Sequence, residues 1–79
     1  MIIAAACVID GEVVSLPAPA RHHDIIRRWP KPKHSHGEQG FIDDKLGFVS
    51  RREAAGIALE QGQIEALKWP GQLYSEDLW

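Results

Sequence analysis

The chain has 79 residues and a formal charge of −2, with nine basic and eleven acidic side chains intermixed and one cysteine. This length sets one domain with a small core, and a lone cysteine excludes an internal disulfide and leaves any metal site mainly to His, Asp and Glu. The mixed charge lacks the basic face and high pI of extended nucleic-acid binding.

The opening run MIIAAACVI is too short to span a bilayer and has neither the basic flank nor the cleavage site of a signal peptide. The expectation is therefore a soluble, cytoplasmic protein with no membrane association. Residues 2–9 are continuously apolar with β-branched ends, as in a strand that is central in its sheet or covered on both faces. Cys7, inside this run, reads as an inert core thiol. Asp10-Gly11 signals a type I′ turn, so residues 12–16, EVVSL, complete a β-hairpin.

PAPA (17–20) leads out of that hairpin. Pro19 suits the first turn of a helix, where its missing N–H is no loss, and Pro30 sets the end, which predicts a helix over 19–29. Its apolar stripe is Ile25, Ile26 and Trp29, and steps of three and four residues put His22 on the same stripe. Residues 30–39, PKPKHSHGEQ, have no apolar member and read as a flexible loop. Residues 40–50 read as a second hairpin with strands 40–42 and 47–49 and DDKL as its turn.

Ser50 and Glu53 form the S-x-x-E capping box of a second helix, with Phe48 or Val49 available as a hydrophobic staple. Gly62 supplies its C-terminal stop. The inner stripe is Ala54, Ile57, Ala58 and Gln61. Gly56 costs about 1 kcal/mol relative to alanine in a helix, which suggests close packing there. Trp69-Pro70-Gly71 makes a turn, and Ser75 caps a last short turn whose Leu78 and Trp79 dock on the body as a clasp. The predicted architecture is a small single α+β domain in ββα–ββα order, with an antiparallel sheet carrying both helices on one face.

Consecutive helical residues point about 100° apart, so His22, His23 and Asp24 cannot share one ion. His34 and His36 with one helix histidine remain a possible set, but the prediction is no metal and no cofactor. His22 suits a hydrogen-bonded core position or, with His23 and Asp24, general acid/base work. His23–Arg27 and Asp24–Arg28 have i, i+4 spacing. Arg21 and His22, like Arg51 and Arg52, stand at helix starts, where the dipole favours negative charge. Either a bound phosphate or a local partner among Asp43, Asp44 and the acidic groups of SEDLW answers the second pair.

SLPAPARHHDIIR, QGF, GFVSRREAAGIALEQGQI and LYSEDLW together resemble a family of small proteins encoded by tailed bacteriophages and prophages. The resemblance runs from the first hairpin to the last residue through the motifs RHHD, QGF, F-V-x-R-x-E-A and SEDLW. It is specific as a signature and carries no activity with it. It implies a phage product acting in the cytoplasm of a bacterial host.

Motifs this polar and dispersed suggest one shared surface. Arg21, His22, His23 and Asp24 would meet Gln39, Gly40, Phe41, Arg51, Arg52 and the tail from Glu76 to Trp79. The first expectation is binding of a nucleotide-derived or other phosphate-bearing small molecule, such as a host defence signal that the protein would sequester, with Phe41 or Trp79 stacking on a base. The second is a protein-binding inhibitor of a host defence protein, marked by an exposed apolar and aromatic patch such as Trp69, Tyr74 and Trp79. The third is a small nucleotide hydrolase using His22 or His23 with Asp24 or Glu76. An edge strand leaves a homodimer open.

Overall fold

A computed structural model describes residues Met1–Trp79. β1 (Ile2–Ile9) turns at Asp10-Gly11 into β2 (Glu12–Ser15), then α1 (His22–Arg28), β3 (His36–Asp43), β4 (Gly47–Ser50), α2 (Arg51–Glu60) and a 3₁₀ turn (Ser75–Asp77) follow. The sheet is antiparallel in the order β2-β1-β3-β4, so β1 is an inner strand. Asp10 and Gly11 have φ of 51° and 82°, the two positive values a type I′ turn requires.

Register sorts the faces. Ala5 pairs with Phe41 and Phe41 with Val49, and these side chains join Cys7, Ile9 and Ile2 in the core with Ile25 of α1 and Ala54, Ala55 and Ala58 of α2. Both helices therefore cover one face, as expected. The other face carries no helix. A Cβ on Gly40 would collide with the Val49 carbonyl and the Phe48 ring, and one on Gly37 would press on Val8, so Phe48 and Val8 lie on that open side.

Several boundaries differ from expectation. α1 starts at His22, not at Pro19: Arg21 is its extended N-cap, and Asp24 accepts the Arg21 N–H at 2.8 Å. That acidic N3 side chain satisfies a free donor of the first turn, and it ties Asp24 to the helix start. Asp24 also lies 3.9 Å from Arg27, in place of the expected pair with Arg28.

The predicted loop is shorter, because β3 begins at His36 and residues 36–39 are strand. A register shift between Cys7 and Ile9 lets the polar His36–Gln39 segment follow β1, and His36 Nε2 reaches the Trp29 carbonyl. His34 Nδ1 and the Ser35 N–H both bond Asp10, each at 2.7 Å. The two loop histidines therefore serve different partners and do not converge.

α2 has the predicted box: Glu53 N–H donates to Ser50 Oγ at 3.1 Å and Ser50 N–H to Glu53 Oε1 at 3.0 Å. Gly62 follows it with φ of 70°. Its buried stripe is Ala54, Ala55 and Ala58, while Gln61 is exposed. Gly56 faces open space, and the close approach lies at Gly40 instead. Ser75 does not cap the last turn. Asp77 does so by accepting the Tyr74 N–H at 2.9 Å, and Ser75 is buried.

Candidate functional site

Residues distant in sequence meet where the start of α1, the middle of β3, the start of α2 and the tail come together. His22 is 6% exposed and stands at the centre. Its ring meets Phe41 edge-on, with centroids 5.0 Å apart. Nε2 lies 2.7 Å from the Gly40 carbonyl oxygen, and Nδ1 lies 3.3 Å from Ser75 Oγ. A carbonyl only accepts, so Nε2 carries the proton and Nδ1 accepts from the Ser75 hydroxyl. Burial, with the Arg51 cation adding to it, pushes the His22 pKa down against the opposing hydrogen bond to Gly40, so the ring is neutral at pH 7.

Arg51 opens α2 against the helix-dipole preference, and its partners explain why. It donates to the Leu73 carbonyl at 2.8 Å and to Gln39 Oε1, and its guanidinium lies 4.4 Å from the Tyr74 ring centroid. These are not the acidic partners expected. Asp43 instead holds the Met1 amino group at 2.8 Å and accepts the Lys45 and Leu46 N–H groups, which keep its carboxyl down at about 2. Arg52, beside Arg51, is exposed.

The tail closes the cluster. Arg21 Nε donates to the Trp79 main-chain oxygen at 2.7 Å, and Trp79 Nε1 donates to the Ala20 carbonyl at 2.9 Å. Leu73 is fully buried, and its N–H bonds the Arg51 carbonyl at 3.1 Å. Glu76 is exposed, with its charge near His22 and Arg51.

Arg21, His22, Gln39, Phe41, Arg51, Glu76 and Trp79 thus come together. His23 and Arg52 point outward, and His23 lies 3.4 Å from Asp24. Sequence reasoning missed Ser75, Tyr74 and Leu73 as partners of this cluster. Leu73 had a signal, an apolar residue just after the Pro-Gly turn, whereas Ser75 and Tyr74 had none beyond their motif. Chemically, the arrangement binds the chain to itself: every buried side-chain nitrogen and oxygen has a partner, and the Ser75 hydroxyl nearest the histidine is shut off from solvent.

Of the aromatic patch expected at Trp69, Tyr74 and Trp79, only Trp69 is exposed, at 59%. Tyr74 and Trp79 are half-buried. No helix is long and apolar enough to cross a membrane. The family model described as Phage T4 y16D protein matches residues 1–79. No curated protein and no solved structure matches the chain.

Proposed function

The chain belongs to the phage T4 y16D protein family, and from that premise we propose that it binds a host protein, such as a defence protein, in the bacterial cytoplasm through the open face of its sheet. One observation carries this reading. A sheet with one solvated face ordinarily alternates apolar-in with polar-out. Here the outer side carries Ile3 and Val13, 46% and 50% exposed, beside the partly exposed Val8, Ile42 and Phe48. Strand alternation puts a single charged residue, Glu38, on that side. Apolar side chains that water would otherwise cover suit a protein partner.

A second reading is binding of a phosphate-bearing small molecule, such as a nucleotide-derived signal. The convergence of Arg21, Gln39, Phe41, Arg51 and Trp79 around His22 favours it. It ranks second because those polar groups are engaged within the chain. A hydrolase reading ranks third, since Ser75 and Gly40 already occupy both nitrogens of His22.

Two measurements decide. Wild type and an Ile3→Lys/Val8→Lys variant are compared as bait in bacterial lysate, and both are melted against nucleotides, cyclic oligonucleotides and ADP-ribose derivatives. A host protein retained by wild type and lost by the folded variant supports the first reading. A nucleotide that raises the wild-type midpoint by several degrees, an effect lost in Arg21→Ala, overturns it in favour of the second.

A further inference from the structure

β2 ends the sheet, and its outer side bonds nothing in the chain. Its only ladder is to β1, and none of the main-chain hydrogen bonds outside the helices and strands involves residues 12–16. The hairpin fixes which groups are free. Across a two-residue turn, Ile9 and Glu12 are the hydrogen-bonded pair, and alternation makes Cys7 and Val14 the next one. Val13 and Ser15 therefore aim their N–H and C=O groups outward. Protein edges are commonly blunted by shortness, charged side chains, proline or a bulge. β2 is short and carries one charge, Glu12, but no lysine, proline or bulge interrupts Glu-Val-Val-Ser, and the register shifts lie on the other side of β1.

We infer that this edge pairs with β2 of a second copy, antiparallel about a two-fold axis through Val14. In that register Val13 of each copy faces Ser15 of the other, and each such pair exchanges both main-chain bonds. Glu12 then faces Leu16 of the other copy. The two Glu12 carboxylates stand about four residues apart along the seam, roughly 13 Å, so like charges do not meet. A register with Val13 against Val13 would bring those carboxylates closer and leave the Ser15 groups opposite Gly11. The chosen register also sets Val14 against its own copy on the helix side and joins the two open faces into one eight-stranded surface. The seam is far smaller than the roughly 800 Å² per partner of a standard interface. The dimer is accordingly one that forms and dissociates with concentration. It does not depend on a host protein binding the open face.

Val13→Pro tests the pairing, because it removes an outward N–H and leaves the bonds to β1 intact. Sedimentation from about 10 μM to about 1 mM, a range that reads weak association, should show wild type rising from 8.8 kDa toward twice that mass. Val13→Pro should stay at the lower mass with an unchanged circular dichroism spectrum. Should that variant fail to fold, wild-type amide exchange replaces it: protection of Val13 and Ser15 should rise several-fold with concentration while that of Glu12 does not. A wild type that stays monomeric throughout overturns the inference. So does a dimer that Val13→Pro preserves, or one whose Val13 and Ser15 amides exchange as in the monomer, including when only an added protein protects them.

Discussion

His22 shows how a polar residue can serve a core. Its ring packs edge-on against Phe41 while its two nitrogens engage one carbonyl and one hydroxyl. Truncation to alanine opens a cavity, removes the bond to the Gly40 carbonyl and leaves the buried Ser75 hydroxyl without its partner. His22→Ala should therefore cost about 2–4 kcal/mol in urea unfolding. The pH dependence follows from the lowered pKa. Below the unfolded-state value of about 6.5 the unfolded chain takes up a proton that the folded ring resists, so the unfolded state binds more protons and stability falls as pH falls. The contribution is fully present above about pH 6.5 and is lost toward the folded pKa. Wild type should lose stability as pH falls below about 6.5, and His22→Gln should flatten that slope; an equal slope in both would refute this role. Gly40, whose absent Cβ leaves room for Phe48, should tolerate alanine poorly, at about 1–3 kcal/mol.

At the scale of elements, α2 depends on local chemistry. Ser50→Ala should cost about 1 kcal/mol by removing the acceptor for the Glu53 N–H, read as a shift in urea midpoint at constant slope. The same locality explains what was legible. The Asp10-Gly11 hairpin, the α2 cap and Gly62 are each written in a few adjacent residues, and all three occur. α1 starts later than the prolines imply because Pro19 is permitted at a helix start without requiring one, while Asp24 satisfies the first turn from position N3. β3 is longer than its apolar residues imply because His36–Gln39 is polar, and only its pairing with β1 makes it strand. Gly56 and Gly40 look alike in sequence, and only tertiary packing tells the open site from the crowded one. For the cluster, the meeting of RHHD, QGF, the α2 start and SEDLW was legible as motifs. The partners of Arg51 were not, since a carbonyl acceptor such as that of Leu73 leaves no trace in residue type.

For the whole molecule, the tail does work that the helices cannot. Ala5, Ala54, Ala55 and Ala58 form much of the core, and each buries little area. Larger apolar groups come from the strands and α1, as Ile2, Ile9, Phe41 and Ile25, and also from the last third of the chain, where Leu73 is fully buried and Ile64, Leu67 and Leu78 pack against the core. Gln63 adds two bonds to the Ile2 main chain, at 2.9 and 2.7 Å. A domain of this size has roughly 4–12 kcal/mol in all. Leu73→Ala, at about 2–5 kcal/mol, should thus remove a large share of the stability, visible as a lower urea midpoint. Trp79→Ala removes the bond to the Ala20 carbonyl and half-buried ring contacts at the margin, so its effect should be local. Amide exchange separates the two. Trp79→Ala should speed exchange at Leu78 and at residue 79, whose N–H groups bond the Ser75 carbonyl, while Cys7 in β1 keeps its protection. Leu73→Ala should speed exchange at all of these together, because the tail that carries Leu73 is then part of the cooperative core. If instead Leu73→Ala leaves Cys7 protected, the tail is a separable appendage and the sheet and helices hold without it.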